Sequence, residues 1–181
     1  MQFQNPQKQQ PNISKTAWIS ETATIIGDVT IGENVYVAHN AVIRADEPGS
    51  SIVIGDNCNV QDNVIIHGLS NSKVSIDNNT SLAHGCIVHG PCIIGKGCFV
   101  GFGAVVFDCT VGKDTLILHN ATVRKVEIPD SKVVPDGAII TEQKNAVQLS
   151  DLSPEDSDFK KSVIKANLHL VEGYRNLSKD A

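Results

Sequence analysis

A triangular parallel β-solenoid with one α-helix appended is the fold this sequence predicts, and three observations predict it. Aliphatic residues recur every six positions through most of the chain. A small or modest side chain follows each of them four residues later. Val and Ile abound while aromatics make up only 4% of the 181 residues, a bias toward strands over a helical bundle.

Residues 1–15 are rich in Gln, Asn and Pro and read as a mobile tail. The repeat then runs through Ile19, Ile25, Ile31, Val37 and Ile43, and breaks at residues 44–51. It resumes at Ile54, Val60 and Ile66, and breaks again at residues 68–73. A long run follows at Ile76, Leu82, Val88, Ile94, Val100 and Val106; after one deleted residue come Val111, Ile117 and Val123. The small positions include Ala23, Ala41, Cys58, Thr80, Cys86, Ala104 and Ala121. Each aliphatic fills the interior of a short strand, and each small residue fits a corner where the chain turns. Three such strands close a coil of about 18 residues, and coils stack at about 4.8 Å. A sandwich of short strands would instead alternate with period two.

This hexapeptide rule resembles that of left-handed parallel β-helix proteins. The left hand is implied by that resemblance alone, because crossovers are ordinarily right-handed. The solenoid is assigned to residues 16–140, with a turn at Pro135-Asp-Gly137, and a polar connector to residues 141–152. A C-terminal α-helix is expected over residues 153–178. Ser153 is its N-cap, Pro154 its first residue, and Glu155 and Asp156 lie in its first turn. Phe159, Val163, Ala166, Leu170, Tyr174 and Leu177 follow at helical spacing and predict an apolar stripe against the coil.

A net charge of -5 and a pI near 5.6 argue against nucleic acid and anionic membrane as partners. No apolar run reaches the length of a membrane span. The first residues lack a signal peptide's apolar core, so a cytoplasmic location is expected. The cysteines form no Cys-x-x-Cys. Cys58, Cys86, Cys92, Cys98 and Cys109 all occupy corner positions and read as small buried hydrophobes. Cys92 and Cys109 lie one coil apart, but a cytoplasmic setting disfavours a disulfide.

The repeat register singles out three histidines. His67 and His89 are 22 residues apart, one coil plus the four residues inserted between Ile66 and Ile76. Both directly follow an interior aliphatic, so both point outward, one above the other. The same column holds Arg44 below and Phe107 above. His84, two residues after Leu82, stands at a turn of the preceding face, in a column with His39, Asp62, Phe102 and His119. It points away from the His67/His89 pair of its own chain and toward that of a neighbour, which predicts three equal shared sites in a homotrimer. A bare stacked pair is an ordinary surface feature. Three imidazoles with an open position suit a catalytic Zn²⁺, with Fe²⁺ or Co²⁺ chemically admissible. His39, His119 and His169 read as surface, interface or packing residues.

The surroundings extend the reading. Ile43-Arg44-Ala-Asp46-Glu47, Asn59-Val-Gln61-Asp62, Ile66-His67-Gly, Ser81-Leu-Ala-His84 and Val88-His89-Gly-Pro91 resemble γ-class carbonic anhydrases in order and spacing. Asn167-Leu-His-Leu-Val-Glu-Gly173-Tyr174 resembles that family's C-terminal helix, so the likeness spans about residues 16–174. The resemblance implies metal ligation by His67, His84 and His89, and a salt bridge between Arg44 and Asp46 across the subunit interface. It implies that Gln61 contacts the metal-bound water or substrate, with Asn59, Asp62 and Asn167 in the same shell and Glu47 as proton acceptor. It implies attack of a metal-activated hydroxide on CO₂ to give bicarbonate. The family's best-known form carries an acidic loop after its first histidine. Here a short loop, Leu69-Ser-Asn-Ser-Lys73, puts Ser70 where a glutamate would stand, as in the branch without that loop.

Three functions compete on these residues. One is a metal-dependent carbonic anhydrase. The second is a catalytically weak or inactive scaffold of the same fold that holds metal or bicarbonate. The third is a hexapeptide acyltransferase, whose chemistry needs one base histidine and an acyl-carrier groove rather than three converging imidazoles.

Overall fold

The structure, a computed structural model, describes residues 1–177, so the expected helix end at Ser178 lies outside the described residues. The chain winds as a left-handed parallel β-helix of about seven turns, with one long helix at its end. The first face stacks Thr24–Gly27, Val42–Ala45, Ile65–His67 and the starts of Ile87–Ile94 and Val105–Val111. The second stacks Val29–Ile31, Ser51–Ile54, Lys73–Ile76 and the ends of those two longer strands. The third is a ladder of two-residue strands from Trp18–Ile19 to Leu116–Ile117, topped by Lys132–Val134.

The two sequence rules describe the interior. The aliphatics from Ile25 to Val123 are buried, and so is every small corner residue from Ala23 to Ala121. A third rule sits at the outer corners. The residue three places after the aliphatic adopts positive φ at Asn34, Asn40, Asn57, Asn63, Asn79, Gly85, Gly97, Gly103, Asp114 and Asn120. That conformation clashes with most side chains and is tolerated by Gly, Asn and Asp. The repeat therefore turns where these residues fall. All five cysteines are buried and free, and the Cys92 and Cys109 sulfurs lie 3.9 Å apart.

Residues 1–15 differ from the tail expected there. Gln2–Phe3 pairs in parallel with Ile25 and Ile26, and Asn12–Ile13 with Thr30 and Ile31. Asn5 is buried; its Nδ2 donates to the Ala45 carbonyl at 3.0 Å, and its Oδ1 accepts the Gln7 and Gln9 amides. The physical reason is the open edge of the first full coil, whose backbone groups need partners. The far edge is covered too. The connector forms a short helix, α1 (Gln143–Ala146), and a strand, Ser150–Asp151, antiparallel to Lys132–Val134.

The long helix, α2 (Pro154–Leu177), begins as expected. Ser153 Oγ accepts the Asp156 amide at 3.1 Å and donates to Asp156 Oδ2 at 2.7 Å, a reciprocal cap. Its contact face is rotated from the predicted stripe. Lys160, Asn167 and Val171 are the buried residues, whereas Phe159, Leu170 and Leu177 are exposed. Val163 packs with Ala83, Phe99 and Leu116, and Val171 and Tyr174 pack with Tyr36 and Trp18. The polar members of that face are satisfied by the solenoid. Lys160 Nζ donates to the Gly97 and Asp114 carbonyls at 2.9 and 2.5 Å. No helix among the described residues is long and apolar enough to cross a membrane.

Candidate metal centre

The first face carries one cluster of candidate ligands. Ile43, Ile66 and Val88 are buried in register, so the next residue on each strand faces out. The register aligns Arg44, His67, His89 and Phe107 in one column. His67 Nδ1 and His89 Nε2 stand 3.1 Å apart, with the rings nearly perpendicular at 86°. Phe107 meets the His89 ring edge-on at a centroid distance of 5.0 Å.

Two imidazole nitrogens at that spacing either share a proton or point their lone pairs at one electrophile. Zinc–nitrogen bonds of about 2.0–2.1 Å at a tetrahedral angle span about 3.3 Å between nitrogens, so the pair fits a metal's edge. Burial, followed by the charge of Arg44, lowers the pKa of His67 and favours the neutral form a ligand needs. The other nitrogen, His67 Nε2, is buried without a hydrogen bond; Glu47 Oε1 and Asp46 Oδ1 lie 3.4 and 3.6 Å away. Those carboxylates favour the proton on Nε2, which leaves the Nδ1 lone pair free to act as a ligand. The donor set therefore fits a metal.

The carboxylates beside the pair are themselves held. Arg44 NH1 donates to both Asp46 oxygens at 2.9 Å. This ion pair closes within one chain, whereas the family resemblance implied one across an interface. Glu47 Oε2 accepts the Ser70 amide at 2.8 Å and its hydroxyl at 2.7 Å. Those two hydrogen bonds hold the Glu47 carboxyl below its ordinary range. The sequence marked Ser70 only as the residue replacing an acid. Its contact with Glu47, 23 residues away in sequence, carries no sequence signal of its own.

A second cluster lies at the corner between the third and first faces. His84 is exposed, and its Nδ1 pairs with Asp62 Oδ2 at 2.9 Å. A carboxylate on Nδ1 sets the tautomer that frees Nε2 as a ligand atom. Asp62 Oδ1 accepts the His39 amide at 3.2 Å and lies 3.6 Å from its ring, a link the sequence reading did not assign. Gln61 Nε2 donates to Asn59 Oδ1 at 3.1 Å and to Asn167 Oδ1 at 2.6 Å. Asn59 in turn donates to Ser81 Oγ at 2.8 Å, and Asn167 Nδ2 to the Val163 carbonyl of its own helix. Docking of α2 thus fixes the Gln61 amide.

One chain gathers Arg44, Asp46, Glu47, His67 and His89 in one place, and Asn59, Gln61, Asp62, His84 and Asn167 in another. It does not bring the two groups together. Among the described residues, no three His, Cys, Asp or Glu side chains are grouped to hold a metal.

Comparison with known proteins follows this geometry. Residues 11–45 and 73–107 match the bacterial transferase hexapeptide family (six repeats). A carbonic anhydrase of Methanosarcina thermophila is 37% identical over 195 residues, covering 96% of this chain and 78% of that protein. The carboxysome assembly protein CcmM of a Nostoc species is 42% identical over 172 residues, covering 90% of this chain. The match covers 31% of that relative, so the chain spans about a third of its length. A crystal structure from Bacillus cereus, provisionally assigned as an acetyltransferase, superposes with a TM-score of 0.85 over 98% of both chains at 25% identity.

Proposed function

The chain belongs to the γ-class carbonic anhydrase family of hexapeptide-repeat proteins, and on that premise we propose that it catalyses reversible hydration of CO₂ to bicarbonate at metal sites shared between the subunits of a homotrimer. His67 and His89 of one subunit and His84 of the next hold the metal. Zn²⁺ is the first candidate, with Fe²⁺ or Co²⁺ admissible for the same donors. The observation that carries this reading is the His67/His89 nitrogen pair at 3.1 Å, with His84 armed by Asp62 yet stationed on another face of the same chain.

When bound, the metal supplies a Lewis acid that makes a water molecule nucleophilic near neutral pH. The chain's own groups do the rest. Asp62 keeps His84 Nδ1 protonated and its ring fixed. The Gln61 amide, tied to Asn59 and Asn167, presents one rigid polar group to the substrate. Arg44 neutralises Asp46 through both carboxylate oxygens. Glu47 Oε1 is the carboxylate oxygen nearest the pair and accepts the departing proton. Its lowered pKa makes it a weak base, so it hands that proton to buffer rather than storing it.

The Ser70 clasp on Glu47 favours a second reading. With Glu47 engaged and no acidic loop beside it, the same site holds metal or bicarbonate with little turnover, as a scaffold. The likeness to a carboxysome assembly protein supports that alternative. Acyl transfer has only the shared architecture behind it.

Metal content per subunit and stopped-flow CO₂ hydration with and without chelator test the proposal. Bound metal with chelator-sensitive hydration supports the enzyme. Bound metal without hydration selects the scaffold, and failure to bind Zn²⁺ or Fe²⁺ on reconstitution overturns both.

A further inference from the structure

Away from the histidines, α2 and three successive coil corners line a groove of about 560 Å³. None of its lining residues belongs to the metal centre. Lys96 and Lys113 stand on its solenoid side, each two residues after an interior aliphatic, and Lys160, Lys161 and Lys165 on its helix side. Five of the chain's 15 basic residues thus line one groove of a protein with net charge -5. Half-buried Ile164 and Leu168 add aliphatic surface.

The acidic groups nearby neutralise this cluster incompletely. Asp130 lies 3.6 Å from Lys113 and Asp158 3.1 Å from Lys161, both exposed pairs that contribute little. Asp114 lines the groove, but its carbonyl rather than its carboxylate takes the Lys160 hydrogen bond. Asp156 lies on the helix turn before Lys160, where its carboxylate is engaged by Ser153. Lys96 and Lys165 have no carboxylate partner among the described residues. Burial also holds the Lys160 ammonium below its ordinary range, so added negative charge there relieves a cost.

We infer that this groove docks an acidic peptide segment bearing aliphatic side chains, supplied by a partner protein. Lysines on both sides match carboxylates along an extended chain, and Ile164 and Leu168 match its aliphatic residues. A single-stranded nucleic acid would call for aromatic stacking platforms, and the groove has none. The net negative charge of the whole protein repels acidic segments elsewhere, which confines docking to this surface.

Fluorescence anisotropy of the full-length protein with labelled synthetic peptides tests the inference. The probes are a Glu/Leu peptide, a Glu/Ser peptide of equal charge, a Lys/Leu peptide and a single-stranded oligonucleotide. The Glu/Leu peptide binds saturably at low salt, and the double variant Lys96→Glu, Lys165→Glu weakens it about tenfold or more. The charge-matched control Lys15→Glu, Lys73→Glu leaves it within about twofold. All four positions are exposed, so both variants keep the fold, which circular dichroism checks. Absence of binding, equal binding of the Glu/Ser peptide, or equal loss in the control overturns the proposal. Tighter binding of the oligonucleotide, lost on the same reversal, also overturns it in favour of nucleic acid.

Discussion

His89 and Ser70 show how differently two residues beside one site are constrained. His89 offers a ring nitrogen to the same point as His67, and neither nitrogen is replaceable by packing. His89→Ala is expected to leave a folded solenoid, because the side chain lies outside the coil. It should reduce bound metal and CO₂ hydration by at least about a hundredfold, a larger loss than outer-shell changes give. Metal analysis and stopped-flow assay of the purified variant check this. Ser70 acts through Glu47 alone. Its two hydrogen bonds stabilise the ionised carboxylate, so the folded pKa lies below the ordinary 4.5. Their stabilising effect is therefore complete above the unfolded pKa and fades as pH falls through the folded one. In Ser70→Ala the Glu47 titration midpoint, followed by NMR on the carboxyl carbon, should move upward. An unchanged midpoint would mean that the clasp does not form in solution. The histidine column was legible in the sequence because an insertion of known length preserves the register. The clasp was not, because no periodic rule says which loop atoms meet a carboxylate one coil below.

At the scale of elements, the coil was legible and its coverings were less so. Six-residue spacing fixes which side chains go inside, since a slip of one residue would turn every one of them outward. The corner rule adds a test. Asn79 adopts φ 57, so Asn79→Gly should leave stability nearly unchanged, while Asn79→Ala should cost about 1–2 kcal/mol in urea unfolding. The first residues and the face of α2 escaped the periodic reading for a shared reason. Asn5, Lys160 and Asn167 are polar groups buried against specific backbone or amide partners. Hydrophobic pattern places such residues outside. Lys160→Met leaves the Gly97 and Asp114 carbonyls without their donor, at an expected cost of about 1–3 kcal/mol near neutral pH. The pH dependence has a defined sign. Burial lowers the folded pKa of Lys160 below 10.5, so between that value and 10.5 the unfolded chain holds a proton the folded chain has lost. Stability contributed by this group therefore rises with pH across that window, and Lys160→Met should abolish the rise.

At the scale of the whole molecule, the solenoid carries two clusters of polar side chains on separate surfaces, which the proposal joins into one site across a subunit interface. The third face and its corner, braced by α2, present His84, Gln61 and Asn167; the first face presents His67 and His89. Sequence spacing showed that the two clusters diverge, since a triangular coil sends successive faces in different directions. The structure adds how the His84 and Gln61 cluster is braced within its own chain, through Asp62 on His84 and Ser81, Asn59 and Asn167 around Gln61. Under that proposal, association and metal binding are mutually reinforcing. Subunit assembly should accordingly survive higher denaturant with metal than with chelator, as sedimentation would report.

The central claim is that the metal site belongs to two chains, and mixing two defective variants tests it most directly. Purified His84→Ala and His89→Ala are each expected to bind no metal tightly. Unfolded together and refolded, they form mixed trimers in which one interface pairs an intact His67/His89 with an intact His84. The account predicts one metal in each mixed trimer, with hydration activity returning in proportion. Full metal retention by His84→Ala alone, or mixed trimers that stay empty, would contradict it.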